Sequence, residues 1–246
     1  MSLIFGINAV SEALKARRVS RLMHIRGGGA RIDALVDRAQ ELRIPVDTVD
    51  RLALDKIAKG SVHQGVAAHL EALPAYTIEE LVREADGSPL LVVLDGIEDP
   101  QNVGAILRSA DAAGATGLIR QARHAAPLHG ATAKASAGAL AHVRIATVVN
   151  IARALDELKA LGVWTVGLDT SATEPYDAAD YPMPTAFVVG AEGPGLRRLV
   201  RESCDRLVAI PMRGHVQSLN VSVSAGIALF EAIRQRRRGP RPSPSG

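Results

Sequence analysis

Short unbroken apolar runs alternate along this chain with stretches in which apolar residues return every three or four positions. That alternation predicts strands and amphipathic helices in turn, hence an α/β protein. From Phe5 to Leu70 the pattern predicts helices over Ala9 to Ala16 and Ile32 to Leu42, and strands over Leu22 to Ile25, Val46 to Val49 and Val66 to Leu70. These form a small α/β unit at residues 1–72. Pro74, a mixed segment through Glu84 and the turn signal Asp86-Gly87-Ser88-Pro89 predict a linker at 73–88.

A second unit, 89–238, opens with Leu90 to Leu94, and similar runs recur at Val163 to Leu168, Ala186 to Val189 and Leu207 to Ile210. A strand covered on both faces has no polar side to show, so these runs predict a parallel sheet between helical layers. Among the helices, Ile151 to Leu161 carries its own punctuation: Asn150 can cap its start and Gly162 follows its end. A last helix, Leu219 to Arg237, places Val223, Ile227, Phe230 and Ile233 on one face. The cations of Arg234-Gln235-Arg236-Arg237-Arg238 suit that helix's negative end better than they specify RNA contact. The Gly/Pro/Ser tail, 239–246, is expected to be disordered.

Composition narrows the classes. No apolar run approaches the roughly 18 residues that span a bilayer, and the N-terminus lacks a basic segment leading into an apolar one, so a soluble, cytoplasmic protein is expected. The one cysteine, Cys204, cannot form an internal disulfide, and no Cys/His spacing fits zinc; no metal is expected. Of 29 Lys and Arg, only Lys15, Lys56, Lys59, Lys134 and Lys159 are Lys. An Arg-heavy surface suits phosphate and bases, although codon bias explains it as well. With 3% aromatic residues, recognition of RNA would lean on shape, phosphate and 2′-hydroxyls rather than stacking.

Three loops follow strands of the second unit, and ligands bind at the carboxyl ends of strands in open parallel sheets. The first runs from Asp95 to Arg108; Pro100 ends the extended segment, Asn102 can cap the following helix, and Arg108 lies within it. The second, Gly190-Ala191-Glu192-Gly193-Pro194-Gly195, allows a tight path with exposed amides, but its glycine spacing is not that of a dinucleotide fingerprint. The third, Ile210 to Ser224, sets Ser218, Asn220, Ser222 and Ser224 where a helix begins; His215 lies in it without an identifiable carboxylate partner. Each loop alone is as well explained by capping and turn formation.

In this order and spacing the three blocks resemble the signature motifs of the SpoU/TrmH branch of the SPOUT methyltransferases. Residues 1–72 are similar to that family's ribosomal-protein-like RNA-binding domain. Phe5-Gly6-Ile7-Asn8-Ala9-Val10, His63-Gln64-Gly65 and Arg234-Gln235-Arg236 extend the match toward the enzymes that methylate a guanosine ribose of 23S ribosomal RNA. The resemblance implies a sheet closed by a deep trefoil knot, S-adenosyl-L-methionine held near Gly190, Ile210, Met212 and Leu219, and a homodimer whose active sites borrow from both subunits. It places Asn102, Arg108, Glu192, Ser218 and Asn220 in the active site.

A guanidinium is effectively never deprotonated, so Arg108 is expected to hold RNA phosphate and stabilise the developing alkoxide rather than act as base. Asn102 and Asn220 would position it and Glu192 would orient it. The competing readings are a transfer-RNA or antibiotic-resistance methylase, and, from another class, a non-catalytic ribosome-assembly factor on the same scaffold.

Overall fold

The computed structural model describes residues 2–58, 60, 62–71, 73–181 and 183–238, so the expectation for the tail at 239–246 lies outside the described residues. The chain divides into two compact units between Leu73 and Pro74.

In the first unit the order is β1 (Ser2–Phe5), α1 (Ile7–Lys15), β2 (Val19–Ile25), α2 (Ala30–Glu41), β3 (Val46–Val49), α3 (Arg51–Ala58) and β4 (Val66–Leu70). The strands lie in the order β1-β4-β2-β3, with β1 and β2 antiparallel to β4 and β3 parallel to β2. Val10 and Leu14 of α1 and Ile32, Leu35 and Ala39 of α2 pack on Leu22, Val66 and Ala68. The pattern did not announce β1 or α3. The first is too short for a period, and the second is marked mainly by Asp50, whose carboxylate accepts from Ala53 N at 2.6 Å.

The quoted motifs of this unit meet. The Gln64 side chain accepts from the first helical amide, Ile7 N, at 3.0 Å, and so caps α1 from a distant loop. His63, buried, accepts from Gly65 N on Nδ1 and therefore presents Nε2–H to Asp55, 2.8 Å away.

The second unit continues with α4 (Ile78–Arg83), β5 (Leu90–Asp95), α5 (Pro100–Ala112), β6 (Gly117–Gln121), α6 (Ala131–Ala135), a 3-10 turn (Ala139–Ala141) and β7 (Ile145–Val148). There follow α7 (Ile151–Ala160), β8 (Trp164–Leu168), β9 (Glu174–Pro175), β10 (Thr185–Gly190), α8 (Arg198–Glu202), β11 (Arg206–Ala209) and α9 (Val221–Arg238). Every pairing in its sheet, β7-β6-β5-β10-β8-β11-β9, is parallel, as the apolar runs predicted. The late strand β10 lies between two earlier ones, pairing Thr185 with Leu90 on one side and with Trp164 on the other.

Alternate strand residues sort to two faces. Leu91, Val93, Ile119, Ala186 and Val188 form one core with Ile78 and Leu81 of α4 and Ile151, Leu155 and Leu158 of α7. Helices α5 and α9 cover the other face, and α6 packs against α5. The stretch 73–88 is thus not a bare linker: Thr77 and Glu80 form a capping box that starts α4, whose apolar side is buried in this core. Asn150 caps α7 as expected, accepting from Arg153 N at 3.1 Å.

Helix α9 buries a different face from the apolar stripe that stands out in its sequence. Val221, Ala225, Ala228, Leu229 and Ala232 face the core, whereas Val223 and Phe230 are about half exposed and Ile227 is partly so. The helix is apolar on two opposite sides, so periodicity alone could not choose between them. Its last turn is also less of a charge cluster than its letters suggest. Arg234 pairs with Glu231, and Gln235 bonds Tyr181 N, Ala179 O and Glu231. Arg236 donates to Tyr181 O, Ser88 O, Pro89 O and Met183 O at 2.7–3.0 Å. Burial lowers the Arg236 pKa from its usual value, and these four carbonyls compensate the desolvated cation.

Candidate active site

The carboxyl ends of β5, β8, β10 and β11 carry the loops that build the site. Asp99, rather than Asn102, caps α5: its carboxylate accepts from Gln101 N at 3.0 Å, and Pro100 takes the first helical position, where a missing N–H removes no bond. Asn102 is thereby drawn into the first turn and buried, 6% exposed. Asn220 does cap α9. Its Oδ1 accepts from Ser222 N at 2.9 Å, while its Nδ2 donates to Asn102 Oδ1 at 2.9 Å and to Glu192 Oε1 at 2.6 Å. One side chain therefore ties the three loops together. Capping and site-building, posed as alternatives for Asn220, are the same geometry.

Beside this trio lies a cavity of about 710 Å³, and Gly190, Ile210, Met212, Ser218 and Leu219 all line it. Segment 210–220 is neither helix nor strand, so the residues of it that line the cavity have main-chain groups without a ladder partner. Gly190 is where the loop closes on itself. A Cβ there would sit 2.2 Å from the carbonyl carbon of Gly195, so only glycine permits the approach. Apolar Leu168, Val189 and Val221 complete a lining able to take a flat heteroaromatic ring, with main-chain groups and Ser218 and Asn220 for its polar edge. The residues present fit an adenosyl group.

Sequence reasoning missed one wall. Asp169, Thr170 and Ser171, at the carboxyl end of β8, also line the cavity, with Arg201 of α8. Asp169 accepts from Ser171 N and Oγ at 2.8 and 2.7 Å and from Arg201 Nε at 2.6 Å. Burial alone would raise the Asp169 carboxyl, but these bonds together hold it below the usual range. The rule that found the other loops, polar residues just past a predicted strand, applies to Asp169-Thr170-Ser171 equally.

A second network braces the middle loop. Asp95, its side chain fully buried at the end of β5, accepts from Arg197 N at 2.8 Å and Nε at 2.6 Å, and Arg197 reaches on to Gln121 Oε1 at 2.6 Å. Only the Asp95 side of the pair is buried, but removing the half-exposed Arg197 would leave that carboxylate uncompensated, so these bonds tie the 191–197 segment to the end of β5.

Arg108 is different. It is exposed on α5 and has no hydrogen bond or ion pair among the described residues. Six residues beyond Asn102, it leaves the helix about 9 Å further along the axis and roughly 120° around it. Glu192 accordingly bonds Asn220 and not Arg108, which corrects its expected orienting role within one chain. His215 is exposed and has no hydrogen bond among the described residues. Burial pushes the Cys204 thiol up to about 12, which leaves it inert. Among the described residues no His/Cys/Asp/Glu group could hold a metal ion, and no helix is long and apolar enough to cross a membrane.

Comparison with known proteins meets this geometry from outside. Residues 89–230 match the SpoU rRNA Methylase family and residues 3–76 match the family described as RNA 2′-O ribose methyltransferase substrate binding. The chain is 42% identical to the 23S rRNA (guanosine-2′-O-)-methyltransferase RlmB of Pseudomonas aeruginosa, over 95% of this chain and 96% of that one. It is 43% identical to RlmB of Ralstonia nicotianae over 95% and 96%. Among solved structures, the SpoU methyltransferase AviRb of Streptomyces viridochromogenes in complex with AdoMet superposes with a TM-score of 0.71 at 28% identity, covering 96% of this chain and 91% of that one.

Proposed function

We infer the function from one premise, that this chain belongs to the SpoU rRNA methylase family. It is an S-adenosyl-L-methionine-dependent RNA 2′-O-ribose methyltransferase, and its target is a guanosine of 23S ribosomal RNA in the cytoplasm. The observation that carries this reading is the junction of the 710 Å³ cavity with the Asn102–Asn220–Glu192 cluster: a place for the donor opens directly onto a place for the acceptor. The similarity to RlmB proteins over nearly the whole chain supports the substrate.

When bound, S-adenosyl-L-methionine supplies an electrophilic methyl group on a sulfonium. Gly190, Ile210, Met212 and Leu219 would hold it through main chain and apolar contacts, with the Asp169–Arg201 pair fixing the opposite wall. The protein's work is to align the ribose oxygen, exclude water and stabilise the charge that develops there. Asn102 and Asn220, locked by their mutual bond, orient the sugar. Arg108 holds the adjoining phosphate and faces the developing alkoxide as a permanent cation.

Because Arg108 points away from Asn102 within one chain, it serves the site of a second copy. A homodimer provides this, and the exposed Val223, Ile227 and Phe230 stripe of α9 supports one, on the helix that packs against α5. The position of β10 between β5 and β8 supports the trefoil threading. The first unit engages the RNA, and its match to a substrate-binding family supports that.

The test is to map 2′-O-methylation across ribosomal and transfer RNA with and without the gene. One 23S guanosine loses its mark; loss at a transfer-RNA site instead overturns the substrate. Calorimetry with S-adenosyl-L-methionine separates an enzyme from a non-catalytic assembly factor, which would give no binding heat.

A further inference from the structure

A second cavity, of about 580 Å³, opens on the other side of the 191–195 loop from the first. Ala191, Glu192, Pro194 and Gly195 line both, so this loop is the partition between them. Asn102 lines only the second. Its Oδ1 is taken by Asn220, while its Nδ2 has no hydrogen-bond partner among the described residues; the residue as a whole is 6% exposed. Asn102 Nδ2 is not among the polar atoms sealed from solvent, so its two donors open onto the cavity and can meet an acceptor from outside.

The charge of this cavity is unexpected in a protein of net charge +3. Asp95, Glu98, Asp99 and Glu192 face it against Arg197 and His124. Three of the carboxylates are engaged within the protein: Asp95 by Arg197, Asp99 by the α5 amide and Glu192 by Asn220. Glu98 is held only by an exposed contact of 3.3 Å to His124, which competes weakly with a ligand. So acidic a cavity repels phosphate and attracts hydrogen-bond donors. Among the nucleobases, guanine alone sets two donors, N1–H and N2–H2, side by side on its pairing edge, and a carboxylate accepts such a pair with both oxygens.

We propose that this second cavity receives the base of the target nucleotide, with Glu98 accepting from guanine N1–H and N2–H2 and the Asn102 amide donating to the attached ribose. The inference rests on the methyltransferase reading and adds to it the group that selects the base. An unstacked base on one side of the partition and the methyl donor on the other would leave only the sugar oxygen at the junction.

The experiment uses the full-length protein and 23S transcripts in which the guanosine methylated by the wild type is kept, or replaced by inosine or by adenosine. Methyl transfer from labelled S-adenosyl-L-methionine is read as kcat/KM for each. The wild type prefers guanosine to adenosine, and Glu98→Gln reduces that preference on the order of ten- to a hundredfold. Inosine lacks the N2 amino group, so the guanosine-to-inosine ratio also collapses in Glu98→Gln, which a merely structural role for Glu98 would not cause. Unchanged ratios in Glu98→Gln, with an active wild type, overturn the pocket assignment and leave the enzyme assignment standing. A wild type that labels no transcript overturns both.

Discussion

The two edges of the second unit's sheet are built on opposite principles. At the amino ends of β5 and β10, Arg236 and Gln235 meet the carbonyls and amide of Ser88, Pro89, Ala179, Tyr181 and Met183. At the carboxyl ends the chain leaves two cavities and an unpartnered amide nitrogen on Asn102, and further along α5 a solvated guanidinium on Arg108. Two arginines of the same unit therefore mean different things. One is saturated by carbonyls and serves the fold; the other has no hydrogen bond or ion pair among the described residues and is left for a substrate. Partnering, rather than charge or burial alone, separates stability from function here.

The contrast is breakable at several points. Arg108→Lys should reduce kcat on the order of a hundred- to a thousandfold while thermal unfolding stays unchanged, because a point charge lacks the fork geometry. Near-normal methylation by that variant would refute the role. Gly190→Ala places a methyl against the Gly195 backbone, and weakening of S-adenosyl-L-methionine binding by roughly ten- to a hundredfold should be seen by calorimetry.

Arg236→Ala reverses the first pattern. It leaves Ser88 O and Tyr181 O without their donor, while Pro89 O and Met183 O keep Thr185, and should lower stability by about 2 kcal/mol, or roughly 4–8 °C in Tm, with kcat retained in the folded fraction.

A smaller effect is expected from pH. Asp169 has a lowered folded-state pKa, so its contribution is present above the unfolded value, about 3.9, and is lost as pH falls toward the folded one. Stability should decline less steeply with acid in Asp169→Asn than in the wild type over that window; equal slopes would show that the loop bonds contribute nothing. Smallest of all, exchanging the exposed pair Glu79 and Arg83 should change stability by no more than about 0.5 kcal/mol.

Much of the architecture was legible because it rests on unbroken apolar runs: β5, β8, β10 and β11 lie where those runs do. Strand β6 was not, because Arg120 and Gln121 interrupt its pattern. Both are buried and satisfied by partners no local rule shows, Arg120 by Ala126 O at 2.6 Å and Gln121 by Arg197. Helix α4 escaped because its capping box is short and its neighbours are mixed. At the site, the three motifs were legible as loops, but their convergence on Asn220 was not, since hydrogen bonds spanning 118 and 28 residues leave no trace in spacing. The buried face of α9 was illegible for a plain reason: two apolar sides carry no preference until the rest of the molecule supplies one.

The place of β10 sets an order on how the polypeptide can be assembled. Until Thr185–Gly190 has been synthesised and inserted, β5 and β8 each offer an open row of amides and carbonyls to any other strand that passes. Completion of the central sheet must therefore await the last quarter of translation. A nascent chain stalled before that point is the species most exposed to mispairing.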